Sequence, residues 1–253
     1  MRSGRTRCAI LFLLLAVGTN SAQHRTLSEQ MTELDKPFLL TYPNLDDSDG
    51  QVVLTNEHVV LQRLFVGPGE WEGIHSHPGN QIYVHIKGGE WSGRLDGKSE
   101  YSGIVEEDGA VGWMDEIPLS AGHESGNTGD TPIDLIYVTL KDDEPIAPGV
   151  EHTPQIYPDL PLDLLLENDR LIVQRGQVEP GQWTGIHSHP GNQILIHIKG
   201  GVWSERRNGM QSPPSQLSEA GSVEWIDAVE LSEAHESGNT GDTTIDFVLV
   251  TLK

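Results

Sequence analysis

Eight of the eleven histidines fall into four pairs, His75 with His187, His77 with His189, His85 with His197 and His123 with His235, each pair separated by 112 residues. Residues two apart in an extended chain point to the same side, so His75 and His77 share a face, as do His187 and His189. Each couple can therefore hold a common ion. A third histidine follows about 46 residues on in both halves, His123 in one and His235 in the other. Neutral imidazole is the commonest metal ligand, and a twice-repeated trio favours metal over isolated structural histidines. His24, His58 and His152 have no such copy and read as surface residues.

The elements that must position these rings repeat with them. Gly73 to Trp91 returns as Gly185 to Trp203 with sixteen of nineteen residues identical, and His123 to Lys141 returns as His235 to Lys253 with fifteen of nineteen. A shorter echo, Tyr42-Pro43-Asn44-Leu45 against Tyr157-Pro158-Asp159-Leu160, sits at an offset of 115. The period is too long for a solenoid and fits two tandem domains. Residues 23–141 form the first, 142–161 a Pro- and acid-rich linker, and 162–253 the second. Within each unit the pattern is period two: Val59 to Val66, Gln81 to Ile86 and Ile133 to Leu140 are short β-branched runs bounded by Gly, Pro, Asn and Asp. Helical periodicity does not appear over any long run, so the fold class is all-β, a jelly roll or sandwich. Gly79-Asn80 and Gly191-Asn192 read as turns needing positive φ.

Composition narrows the partners. With 16 Lys+Arg against 38 Asp+Glu the net charge is −22, which repels phosphate backbones and excludes a nucleic-acid binder. At 36% hydrophobic residues the chain can bury one large or two medium cores. Residues 1–22 read as a secretory signal: Arg2, Arg5 and Arg7, an apolar stretch from Cys8 to Val17, then a small polar end before cleavage at Ala22. The apolar stretch is too short to span a membrane. Cleavage removes three Arg and no acid, taking the charge from −22 to −25, and removes the single Cys. The expectation is a secreted or periplasmic protein without membrane association, whose metal sites use no thiolate.

These residues resemble the two motifs of the cupin family. Gly69, His75, His77, Gln81 and Gly88, and their copies Gly181, His187, His189, Gln193 and Gly200, fit the first motif with Gln in place of its Glu. Gly112, Pro118, His123 and Asn127 fit the second, with Ser120 at its second Gly, while the other half keeps only His235 and Asn239 and has Glu224, Glu230 and Ser232 at the remaining positions. The resemblance covers residues 42–253 and implies a bicupin of two tandem jelly-roll barrels. It further implies one divalent metal (Fe, Mn, Zn or Ni) per domain, held by His75, His77 and His123 in the first and His187, His189 and His235 in the second. Gln81 and Gln193 take the fourth position, either as ligands or turned away toward the substrate. An amide leaves the ion its full +2 charge, which favours an anionic or chelating small-molecule substrate.

By alternation His85, Tyr83 and His197 lie on the inward face with the glutamines, giving candidate proton carriers, with a backbone-satisfied buried histidine as the alternative. Tyr83 is replaced by Leu195, so the pockets differ. The six Trp pair at the same offset and read as core packing rather than as substrate platforms. Three functions stay open: an iron dioxygenase, Lewis-acid lyase, isomerase or decarboxylase chemistry, or a non-catalytic metal or small-ligand binder. Three-ligand open sites are typical of catalytic metals, which favours an enzyme. The protein is expected as a monomer with paired barrels or as a homo-oligomer.

Overall fold

The computed structural model describes residues 33, 35–45, 50–142 and 152–253; the leader read at 1–22 and residues 143–151 of the linker lie outside them. Among the described residues sixteen strands form, eight per half. The first half holds β1 (Gln51–Thr55), β2 (Val59–Val66), β3 (Gln81–Lys87), β4 (Glu90–Leu95), β5 (Lys98–Val105), β6 (Val111–Met114), β7 (His123–Asn127) and β8 (Ile133–Leu140). The second repeats them as β9 (Asp163–Glu167), β10 (Leu171–Val178), β11 (Gln193–Lys199), β12 (Gly201–Arg207), β13 (Met210–Ser218), β14 (Val223–Ile226), β15 (Glu236–Asn239) and β16 (Ile245–Leu252). Each half folds into a five-stranded sheet, β1-β2-β8-β3-β6 or β9-β10-β16-β11-β14, and a three-stranded sheet, β5-β4-β7 or β13-β12-β15. Every strand pairing is antiparallel, and the protein is two tandem jelly-roll barrels.

Alternation along the strands explains both cores. On β3, Ile82, Val84 and Ile86 face away from their own barrel, and on β11 so do Ile194, Ile196 and Ile198; these six pack together with Ile136, Val138, Val248 and Val250. The two five-stranded sheets thus lie back to back. The inward residues of β8, Ile133, Leu135 and Tyr137, join Leu64, Val66, Trp91 and Tyr42 inside the first barrel. Burial on both faces accounts for the near-continuous apolar runs of β8 and β16, as each fully buried aliphatic side chain contributes roughly 1.5–3 kcal/mol. Arg63 ties the rim of this seam: it donates to both oxygens of Asp134 at 2.9 and 2.7 Å and to the Ala220 carbonyl of the other barrel at 3.2 Å. Arg175 repeats the fork on Asp246 at 2.9 and 2.7 Å.

Tyr157 and Leu160 are buried inside the second barrel with Phe247 and Leu249, occupying the place that Tyr42 holds in the first. These apolar side chains, from the stretch between the two repeats, fill the barrel end. The Gly79-Asn80 and Gly191-Asn192 turns do adopt positive φ, 78° and 49° in one, 87° and 52° in the other. They set the step from the paired histidines into β3 and β11. No helix among the described residues is long and apolar enough to cross a membrane.

Candidate metal centres

The paired histidines lie in extended segments that enter β3 and β11 rather than within strands. Backbone bonds hold them: His75 donates its backbone N–H to the His123 carbonyl at 3.0 Å, and His77 exchanges two backbone bonds with Ile117 in an isolated bridge. In the second barrel His187 exchanges both bonds with His235, at 2.9 and 3.0 Å. The result is two buried trios, His75-His77-His123 and His187-His189-His235, whose ligand atoms lie within 4.8 Å of one another. Among the described residues these are the groups of His, Cys, Asp and Glu able to hold a metal.

Hydrogen bonding fixes which nitrogen faces inward. His75 Nδ1 donates to the Gly73 carbonyl at 2.8 Å, and His77 Nδ1 donates to Gln81 Oε1 at 3.0 Å. Their Nε2 atoms then carry lone pairs, yet they face each other at 3.0 Å. The second barrel repeats this with His187 on Gly185 at 2.9 Å, His189 on Gln193 at 2.8 Å, and an Nε2 separation of 3.1 Å. Two opposed lone pairs at this distance call for a cation between them, and ~3 Å is the spacing of ligands at right angles around an ion ~2.1 Å from each. The trios fit a divalent metal. Burial pushes His75 and His187 down to about 4 and His77 to about 3, and it lowers His123, His189 and His235 as well. All six are held in the neutral, ligating form.

Gln81 and Gln193 differ from the fourth-ligand position given by motif spacing. Their amide oxygens accept from the histidines, while the nitrogens donate to Thr139 at 2.6 Å and Thr251 at 2.9 Å. They orient the ligand rings from outside, a task that suits an uncharged amide with one acceptor and one donor to place.

Each barrel encloses a cavity beside its trio, about 480 Å³ in the first and 460 Å³ in the second. All three histidines of the second trio line their cavity, whereas of the first only His123 does. Tyr137, 5.6 Å from the His77 ring, helps to close off the first trio, and Leu249 replaces it in the second barrel. The walls differ as well. Tyr83 pairs across the sheet with Gly112, where a Cβ would meet its hydroxyl at 2.2 Å, and the equivalent pair is Leu195 with Glu224. Likewise the Tyr101 ring lies on Gly93, whose copy is Glu205. Both cavities carry acids, Glu100, Glu106 and Asp115 in the first and Glu205, Glu224 and Asp227 in the second; the first adds Tyr83, Tyr101 and Tyr137, where the second has Tyr157 as its one lining tyrosine.

The expected proton carriers separate. Tyr83 and His85 both line the first cavity, and His85 Nδ1 has no hydrogen-bond partner among the described residues. His197 does not line the second cavity. Its Nε2 accepts from Trp203 at 2.8 Å and its Nδ1 lies 3.1 Å from the Ser222 hydroxyl. Sequence reasoning missed Glu205 and Glu224 as site residues, although an acid standing opposite a glycine at the 112-residue offset was a visible signal. The wall and the neighbouring Glu205 carboxylate hold Glu224 above the usual carboxylate range, burial being the larger cause. Of the tryptophans, Trp91 is core, Trp71 and Trp183 lie under Arg94 and Arg206 at 3.6 and 4.0 Å, and Trp113 and Trp225 line the cavities.

A tandem pair of jelly rolls, each with a buried histidine trio inside, has the cupin fold in its two-barrel form. Solved structures of similar shape include YhaK from Escherichia coli, at 14% identity over 84% of this chain and 91% of that one, with a TM-score of 0.51. AerE from Microcystis aeruginosa matches at 12% identity over 86% and 99%, TM-score 0.50. A cupin 2 conserved barrel domain protein from Leptotrichia buccalis matches at 14% over 80% and 88%, TM-score 0.46. No family model and no curated protein matches the sequence.

Proposed function

We propose that the protein is an exported, metal-dependent enzyme whose working site is the second barrel, acting on a small, chelating, hydroxylated organic molecule. The observation that carries this is the opening of all three second-barrel imidazoles onto one cavity that also holds Glu224. When bound, the ion supplies Lewis-acid polarisation of a ligand oxygen. Glu224, kept protonated to higher pH than an ordinary carboxyl, moves a proton at its carboxyl oxygen. Glu205 accepts from Arg207 at 2.6 Å, so that arginine is already matched. With Glu224 and Asp227 also on the wall, the lining favours a neutral molecule that donates hydrogen bonds over the anionic one expected from ligand charge alone. Trp203 and Trp225 offer apolar faces to a ring. Non-catalytic holding is the reading favoured for the first barrel, where only His123 reaches the cavity.

Elemental analysis of untagged mature protein tests the reading, with metal identity dividing redox iron from Lewis-acid chemistry. Two equivalents per chain are expected, falling to one in His77→Ala and in His189→Ala. No metal after loading with Fe, Mn, Zn and Ni would sink it. N-terminal sequencing of the exported form checks the leader, with cleavage after Ala22 expected.

A further inference from the structure

The carboxylate missing from the first motif has a substitute elsewhere in the first barrel alone. Glu72 lies three residues before His75, is 0% exposed, and neither of its oxygens has a hydrogen-bond partner among the described residues. Its Oε2 stands 3.5 Å from His75 Nε2, the nitrogen that carries a lone pair because Nδ1 is donating to Gly73. A buried carboxyl with no hydrogen-bond partner beside a bare imidazole nitrogen avoids the cost of an unpaired charge in one of two ways, by keeping its proton when metal is absent or by sharing a cation with that nitrogen. His77 Nε2 points to the same place, 3.0 Å from His75 Nε2.

We infer that Glu72 is the fourth metal ligand of the first barrel, making that site three imidazoles and a carboxylate while the second remains three imidazoles alone. This rests on the reading that the trios hold metal. At the equivalent position Thr184 is committed elsewhere: its hydroxyl lies 3.1 Å from His187 Nδ1, contacts the Gly185 and Ser237 carbonyls, and accepts the Ser237 N–H. Thr184 braces a ligand where Glu72 becomes one. The carboxylate reduces the first site's net charge from +2 to +1, adds a hard oxygen donor, and fills a coordination position. The first ion is consequently held more tightly and is the weaker Lewis acid.

The test uses the full chain, stripped of metal and titrated with Co(II), in a His189→Ala background so that only the first site reports. Glu72→Gln is expected to weaken Co(II) binding at least about 10-fold, the loss that even an outer partner of a ligand produces, and to change the visible Co(II) spectrum. The metal-induced rise in Tm shrinks while the metal-free variant folds as well as its parent. Glu72→Thr, which installs the second barrel's own residue, serves if the glutamine variant does not fold. Unchanged affinity with an unchanged spectrum in either folded variant would overturn the assignment. Absence of Co(II) binding in the Glu72-containing parent would instead overturn the metal reading beneath it.

Discussion

Two barrels that share sixteen of nineteen residues around their first histidine pair differ in the aromatic residues of their walls and in where their acids stand. The backbone turns, the ligand rings and the outer glutamines are the same; Glu72, Tyr83 and Tyr137 stand against Thr184, Leu195 and Leu249, and Tyr101 has no tyrosine as its copy. Two of the changes come as packed sets, since Tyr83 needs Gly112 and Tyr101 needs Gly93, and the loss of each tyrosine accompanies a glutamate on the opposing strand. The lesson is that duplication preserves what holds an ion and what bends the chain, while the surface a substrate touches changes by exchanging neighbours together.

Replacement of Glu224 breaks the comparison most severely. Glu224→Gln is expected to lower turnover of the wild-type substrate by roughly 10²–10⁴-fold, read as kcat with metal content unchanged. Tyr83→Phe and His85→Gln put the same question to the first barrel, and a loss as large there would move the working site.

Acidity comes next. Burial pushes Glu72 up to about 8 from 4.5, so in the metal-free protein the unfolded chain releases this proton first as pH rises. The Glu72 contribution to stability is therefore full below 4.5 and is lost as pH climbs toward about 8, a limb that Glu72→Gln removes and that the second barrel, with Thr184, lacks. On the acid side His75, His77 and His187 are lowered from 6.5, so the unfolded chain takes up protons first and stability falls below that value. Thermal unfolding across pH checks both limbs; an alkaline limb that survives Glu72→Gln would contradict the account.

A smaller effect sharpens the wall exchange. Gly112→Glu alone drives a side chain into the Tyr83 ring and is expected to cost about 1–3 kcal/mol, whereas Tyr83→Leu/Gly112→Glu copies the second barrel and recovers most of that. Urea unfolding of the double-mutant cycle measures the coupling. The smallest difference lies in the Trp pair: Trp203→Phe loses the 2.8 Å bond to His197, while Trp91 Nε1 has no partner among the described residues. Trp203→Phe is expected to cost about 0.5–1.5 kcal/mol more than Trp91→Phe.

How much of this was legible in the sequence follows from what repetition records. The trios and the all-β pattern were readable because they occur twice, with period-two strands on either side. Spacing located Gln81 but not its direction, since the amide's choice of His77 Nδ1 depends on Thr139, 58 residues away. Alternation placed His197 on the inward face, but its bond from Trp203 crosses between sheets and leaves no local mark. Glu72, Glu205 and Glu224 were passed over because they are unmatched between the halves, which is also why they distinguish the two sites.

The aliphatic seam between the five-stranded sheets has a further consequence. Two separate chains meeting through such a face would form a symmetric dimer, and any substitution would then appear at both centres. Carrying both partners on one polypeptide frees each centre to vary alone, so a glutamate gained beside one ion need never be tolerated beside its twin.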